Sequence, residues 1–322
     1  MATKEIILDM LTLSRGKPVS GAAMAEKAGV SRAAVWKAVC ALREDGFVID
    51  AVTRGGYTLR SDGGRLTAAG ISACLETEGI RLTALESVDS TNTYLRALAE
   101  NGAPEKTVVA AAEQTAGRGR SGKRFLSPAG TGLYMSILLR PKLTMADSLL
   151  ITTAAAVAAA RAIETVTGRG TQIKWVNDVY VDGKKVCGIL TEGALDLESG
   201  GLRYAILGIG VNICAPAGGF APEIRDIAGA LLPDGAAECR APLAAAMIDN
   251  FFALYPRLAE KTFFDEYASR SLLDGKPIEV LRGNTRIPAT ALGIDRDFRL
   301  RVVYADGEEE ALAAGEVSTR PL

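Results

Sequence analysis

Arg118, Arg120, Lys123 and Arg124 place four cations in seven residues of T-A-G-R-G-R-S-G-K-R (115–124), interleaved with Gly117, Gly119 and Gly122. Glycines make such a backbone pliable, so the loop can close over a polyanion and lay guanidinium forks on phosphate oxygens. The stretch also fits two nucleotide signatures. Gly117, Gly119 and Gly122 match G-x-G-x-x-G, and Gly117 to Lys123 match G-x-x-x-x-G-K, although Arg124 stands where Ser or Thr would meet magnesium. Both signatures require the loop to open a helix whose N-terminus receives phosphate. Here Pro128, two more glycines and a strand follow, so neither signature is genuine. A solvated basic loop is the competing structural role.

The 322 residues include no histidine. Ser-His-Asp and Cys-His catalysis, His-ligated metals and a His general base are therefore excluded, leaving electrostatics, carboxylates, lysine or a bound ion. Cys40, Cys74, Cys187, Cys214 and Cys239 form no C-x-x-C pair, which argues against zinc and for reduced thiols in a cytoplasmic protein. Net charge is −1, so no global field draws the chain to nucleic acid or a membrane. Residues 1–60 nonetheless carry nine Lys/Arg against six Asp/Glu, an N-terminus suited to an anionic partner. The N-terminus lacks a signal-peptide core. The alanine-rich run 148–166 is interrupted by Thr152, Thr153 and Arg161, the pattern of a buried helix rather than a membrane span, and no membrane partner is expected.

Three units are expected to position these residues. In 1–62, Ile7, Met10 and Leu11 stripe a first helix, Ser20 and Ser31 cap two more, and A-G-V-S joins those as a helix-turn-helix. Two strands around Gly55-Gly56 complete a winged helix-turn-helix, with Ser31, Arg32, Trp36, Lys37 and Arg54 as the DNA-binding residues. A small helical protein-interaction module is the alternative. The modest basic surplus predicts weak DNA binding by a monomer, with dimerisation supplying affinity. In 63–272, after a Gly-rich linker, strands over 107–113, 133–140, 171–176, 185–193 and 203–213 mix with helices over 90–101, 148–167 and 242–270, which predicts a mixed α+β sheet. From 273 to 322, short strands broken by Gly-Asn and Asp-Gly turns predict a small β-barrel.

S-T-N (90–92), E-Q-T-A-G-R-G-R-S-G-K-R-F-L-S-P-A-G-T-G-L-Y-M-S-I-L-L (113–139), K-W-V-N-D-V-Y-V-D-G-K-K-V-C-G-I-L (174–190) and L-G-I-G-V-N-I (207–213) resemble the biotin–protein ligases, in order and along the whole chain. The N-terminal winged helix and C-terminal G-E-V-S (315–318) resemble the bifunctional class that is both biotin ligase and biotin operon repressor. The resemblance implies an α+β chain with an N-terminal winged helix-turn-helix, a central mixed-sheet domain of the biotin/lipoate ligase type and a C-terminal SH3-like β-barrel. It implies that biotin and ATP form biotinoyl-5'-AMP, from which an acceptor lysine on a biotin carboxyl carrier protein displaces AMP. The first step joins an ionised carboxylate to an anionic phosphate, so it needs charge neutralisation and alignment rather than a base.

The resemblance also assigns roles. Arg118 and Arg120 belong to the loop that closes over biotin and the adenylate phosphate, with Gly117 and Gly119 easing its approach. Ser90, Thr91, Asn92 and Gln114 meet biotin's ureido head, Gly188 clears space, and Lys185 neutralises the converging anions. Asn177 and Asn212 face ATP, Phe125 packs over adenine in place of the usual tryptophan, and Asp178 serves Mg²⁺ through ATP or steers the acceptor lysine's proton. Arg120, Lys185 and Asp178 form the catalytic group, while Trp175 belongs to the core. Val176 departs from the common K-W-P-N-D. Biotinoyl-AMP would act as corepressor, promoting a homodimer on operator DNA. A ligand sensor without turnover and a lipoate-type ligase are the alternatives.

Overall fold

Ser20 and Ser31 start the helices of the N-terminal motif, each hydroxyl accepting a backbone amide one turn on, from Ala23 and Ala34. The computed structural model describes residues 3–14, 16–52, 55–144, 148–195, 201–232, 237–283, 285–313 and 316–318. Its first elements are α1 (Thr3–Leu13), α2 (Gly21–Ala28) and α3 (Arg32–Glu44), then an antiparallel hairpin of β1 (Val48–Val52) and β2 (Gly56–Ser61). Ile7, Leu11, Met24, Val35, Val39, Leu42 and Phe47 close a separate core. That burial spends the inner face of α3 and leaves Arg32, Trp36 and Lys37 outward, with Trp36 56% exposed. This is the winged helix-turn-helix. Arg54, expected at the wing tip, lies outside the described residues.

The central elements are α4 (Ala68–Cys74), β3 (Arg81–Leu85), α5 (Thr91–Glu100), β4 (Thr107–Ala111), β5 (Gly132–Leu139), α6 (Ser148–Thr167), β6 (Gln172–Lys174), β7 (Asp178–Val181), β8 (Lys184–Leu195), β9 (Leu202–Asn212), α7 (Arg240–Leu254) and α8 (Phe264–Ser269). One sheet of order β3-β4-β5-β9-β8-β7-β6 holds all seven strands. Only β3 pairs in parallel, with β4; the other pairings are antiparallel. The expected mixed sheet is therefore present, with α4, β3 and β7 added to the elements the sequence suggested.

Period-two alternation decides what each sheet face does. On β5, Leu133, Met135, Ile137 and Leu139 join the large core with α6 and α7, and on β9 Ala205, Leu207, Ile209 and Val211 do the same. The opposite face is covered at one end by α5, where Leu138 and Ile206 meet Leu95 and Ala99. At the other end the alternate positions are Tyr134 and Ser136 on β5 and Gly208, Gly210 and Asn212 on β9. Small residues at those positions carve a hollow in a sheet that is otherwise filled. The helix α6 is long and apolar enough to cross a membrane by composition, but Leu150 through Ala160 are all buried against this sheet and its neighbours.

The C-terminal strands are β10 (Pro277–Arg282), β11 (Thr285–Ile294), β12 (Leu300–Tyr304), β13 (Glu309–Leu312) and β14 (Glu316–Ser318). They form an antiparallel sheet of order β13-β12-β11-β10-β14. It is barrel-like, curving at a register shift between Ala291 and Gly293, but it does not close: among the described residues β13 and β14 remain its two edges. The expected small C-terminal β-barrel is thus present as a barrel-like antiparallel sheet that does not close. Phe298 stacks on Phe263 at 5.0 Å between ring centroids and packs the loop between β11 and β12 against the start of α8. The Trp175 indole donates to the Phe298 carbonyl at 2.8 Å, so Trp175 is the core residue the sequence suggested.

Arg240 fixes a second joint. Its buried guanidinium donates to the carbonyls of Gly64 (2.6 Å) and Gly132 (3.1 Å), and also to that of Gly130. Arg240→Met would strand three carbonyl acceptors, and its expected cost is about 3 kcal/mol of unfolding free energy. Denaturant titration checks it; a loss below about 1 kcal/mol would mean that water satisfies those carbonyls instead.

Candidate functional site

The hollow over β5, β9 and β8 becomes a cavity of about 860 Å³ once the basic loop covers it. Two β-bridges hold the loop's feet, Gln114 with Ser127 and Arg118 with Arg124, and its tip is a single 3-10 turn over Arg120–Gly122. No α-helix follows, as the rejection of both nucleotide signatures requires. Of the residues expected to meet small molecules, Ser90, Thr91, Asn92, Gln114, Arg118, Gly119, Arg120, Phe125, Asn177, Asp178, Lys185, Gly188 and Asn212 all line this cavity. Gly117 is not among the lining residues. A Cβ there would stand 2.3 Å from the Phe125 carbonyl oxygen, so its clearance serves the loop's own fold.

The cavity has a polar end and a cationic one. At the polar end, Gln114 Oε1 accepts from the Thr91 amide (2.9 Å) and hydroxyl (3.1 Å), while its Nε2 donates to Ser127 Oγ at 2.9 Å. Ser136 Oγ lies 2.6 Å from Asn92 Oδ1 and 2.7 Å from Thr91 Oγ1, and its one proton serves one of them at a time. Ser90 caps α5 weakly, its hydroxyl 3.5 Å from the Thr93 amide, which leaves capacity for another partner. Donors and acceptors alternate here, the pattern that a ring bearing a carbonyl and two N–H groups requires.

At the cationic end, Lys185 Nζ lies 2.7 Å from Asp178 Oδ1. This is an ion pair rather than a hydrogen bond, since no donor is aligned on that buried oxygen. The lysine's backbone is pinned: its amide donates to Ile227 O (2.7 Å) and its carbonyl accepts from Gly229 N (2.8 Å). Neighbouring Lys184 instead turns its ammonium outward to the Asp226 carbonyl at 2.7 Å. The two adjacent lysines thus have different work. Arg120 Nη1 donates to Asn177 Oδ1 at 2.9 Å, and Asn177 Nδ2 donates to Ile189 O at 2.8 Å, which fixes the amide's direction.

Between these ends lies a floor without side chains. Gly188 and Gly210 face each other across β8 and β9. The Phe125 ring rests on them, so that a Cβ at Gly210 would fall 2.7 Å from the ring and one at Gly188 3.1 Å. Phe125 also meets Tyr134 edge-on at 6.3 Å. The flat surface made by two glycines accepts an aromatic ring by contact alone.

Among the described residues Asp178 is the one acidic residue lining the cavity, and no group of three metal-ligating side chains exists. That donor set fits a Mg²⁺ brought by a nucleotide and held through one carboxylate plus phosphates, not a protein cage. The charge of Asp178 reaches its neighbours. Burial first, then this carboxylate, pushes the Cys187 thiol up to about 12. At pH 8 only about one Cys187 in ten thousand would be thiolate. In native protein, iodoacetamide is expected to modify exposed Cys74 and spare Cys187; comparable alkylation of both, read by mass spectrometry, would show that β8 opens.

Several contributors were not expected from the sequence. Glu192 receives Arg96, Arg118 and Asn92, and residues of the segment 216–228 wall the cavity beside Lys185. Leu281 and Arg286 reach the mouth from the C-terminal sheet. Glu192 had a legible signal, a charge in the otherwise apolar strand V-C-G-I-L-T-E, whereas the wall residues had none.

Known proteins share these features. Residues 84–212 match the model of the biotin/lipoate A/B protein ligase family, and residues 3–58 match an HTH domain. The bifunctional ligase/repressor BirA of Bacillus spizizenii is 38% identical over 227 residues, covering 70% of this chain and 69% of that protein. The protein of the same name from Escherichia coli is 28% identical over 313 residues, covering 96% and 95%. Among solved structures, the biotin protein ligase from Aquifex aeolicus in complex with biotin and ATP superposes with a TM-score of 0.59 at 29% identity, covering 74% of this chain and 98% of that one.

Proposed function

The chain belongs to the bifunctional ligase/repressor members of the biotin/lipoate A/B protein ligase family, and we propose that its central cavity is where biotin is activated. The protein is an ATP-dependent biotin–protein ligase and a DNA-binding repressor, acting on a carboxyl carrier protein and on operator DNA. The observation that carries the site assignment is the convergence of Arg118, Arg120 and Lys185 with the polar end made by Ser90, Thr91 and Gln114 in one cavity.

The residues divide the work as follows. Ser90, Thr91, Asn92 and Gln114 hold the ureido ring, and Phe125, seated on the glycine floor, offers its other face to the flat parts of the ligands. A biotin carboxylate oxygen attacks the α-phosphorus, and the bond to the β-phosphate oxygen breaks to release pyrophosphate. Lys185 and the loop arginines offset the repulsion of these anions, in a cavity where such charges act more strongly than in water. Mg²⁺, held by Asp178 with the phosphates, would supply further neutralising charge. In the second step the acceptor amine attacks the biotinoyl carbonyl carbon, AMP leaves, and Asp178 is placed to take the amine's proton. Asn177 and Asn212 face the nucleotide.

Incubation with biotin, ATP, Mg²⁺ and a carrier domain is expected to label the carrier lysine; no labelled carrier would end the site assignment. Repression follows from the outward face of α3. We take biotinoyl-AMP as corepressor, ordering the loop so that two chains pair and present two winged helices to two half-sites. Lys37→Ala should weaken operator binding and reduce the slope of log K against log salt by about one unit. An unchanged slope would remove Lys37 from the phosphate contacts.

A further inference from the structure

Glu192 gathers three donors from two parts of the cavity. Its Oε1 meets Arg96 Nη2 at 2.8 Å and Arg118 Nη2 at 3.1 Å, while Oε2 accepts from Asn92 Nδ2 at 2.8 Å. Arg118 belongs to the basic loop; Asn92 and Arg96 belong to the first turns of α5. The carboxylate itself stands on β8, in the middle of the sheet, and its side chain is 18% exposed. Asn92 is tied onward to Ser136 and thence to Thr91 and Gln114. A chain of contacts therefore runs from the polar end of the cavity, through one carboxylate, to the loop that covers it.

A lone exposed ion pair is weak and would not set a loop's position. Convergence on one half-buried carboxylate is different. The Asn92 amide and Arg96 already restrict Glu192, so Arg118 meets an acceptor whose freedom has been lost beforehand. We propose that Glu192 is a positioning residue that fastens the basic loop, through Arg118, to the polar floor that receives biotin's head. This deepens the ligase assignment and rests on it for the identity of the ligand. Filling the floor and closing the loop then become linked events, because Asn92 and Arg118 share one acceptor.

Two measurements on the full chain test this, each in wild type, Glu192→Gln, Arg118→Gln and the double variant. The first is limited trypsin digestion without added ligand, with cuts after Arg120, Lys123 and Arg124 quantified by mass spectrometry. Glu192→Gln is expected to speed these cuts about fivefold while cuts elsewhere keep their rates, and to add nothing when Arg118 is already Gln. The second is the KM for biotin, expected to rise about tenfold in Glu192→Gln and by no further factor when added to Arg118→Gln. A merely structural role would speed cleavage everywhere and multiply the two effects. Unchanged loop cleavage in Glu192→Gln, parallel acceleration at all sites, or independent effects in the double variant each overturns the proposal. A wild-type protein that labels no carrier would fail the ligase assignment alone, since the digestion arm still decides the part played by Glu192.

Discussion

Lys185→Met is expected to slow formation of the adenylate by about a thousandfold, near 4 kcal/mol of transition-state stabilisation. The reaction joins two anions, and Lys185 is the cation whose backbone is held on both sides, by Ile227 and Gly229. Its present partner, Asp178 at 2.7 Å, holds the ammonium at the cavity wall. Methionine keeps most of the side chain's length and removes the charge, leaving the half-buried Asp178 carboxylate without its cation. The measurement is single-turnover release of pyrophosphate from biotin and ATP, with denaturant titration to confirm that the fold survives. Adding Asp178→Asn is expected to recover none of the rate, because the same carboxylate holds Mg²⁺ with the phosphates; a rate regained in the double variant would remove Asp178 from that role. A deficit below about tenfold for Lys185→Met alone would remove this lysine from the chemistry.

Why the fold could be anticipated here, and where it could not, follows from which signals are local. Caps at Ser20 and Ser31, the alanine run of α6 and the alternation in β5 and β9 act within a few residues, so the elements they form stand where the sequence suggests. The strands β3 and β7 are short and join the sheet through partners, β3 to β4 far along the chain and β7 between β6 and β8. Nothing within Arg81–Leu85 distinguishes a sheet edge from a loop. The open C-terminal sheet has the same origin, because closure depends on whether two edges meet and not on any strand's own pattern.

The site divides in the same way. Arg118 and Arg120 were visible as cations between glycines, whereas Lys185 took its role only from the family resemblance and residues 203–213 read simply as a strand. What the strand glycines are bare for emerged only from the pairing of Gly188 with Gly210 beneath Phe125. Gly117 shows the limit of the motif: its spacing matched a ligand loop, yet its missing side chain makes room for the loop's own carbonyl. Glu192 was visible as an anomaly without a meaning, since its partners come from residues 92, 96 and 118.

Arg120→Gly should release the adenylate about a hundredfold faster while leaving the polar floor intact, a loss near 2.7 kcal/mol. Two effects add. The substitution removes a cation from the adenylate phosphate, and it removes the donor that ties the loop tip to Asn177 at 2.9 Å. Glycine also widens the conformations open to a tip that already holds Ser121 at φ 54° and Gly122 at φ 73°. The Asn177 amide is pre-aimed by its bond to Ile189, so Asn177→Ala should reproduce the loss of tethering without the loss of charge, with release faster by about tenfold. The check is the fraction of adenylate that stays with the protein through rapid gel filtration, followed over time without carrier. Retention equal to wild type in Arg120→Gly would mean that the loop does not hold the intermediate. Equal release from Arg120→Gly and Asn177→Ala would mean that tethering alone does, with the guanidinium charge adding nothing.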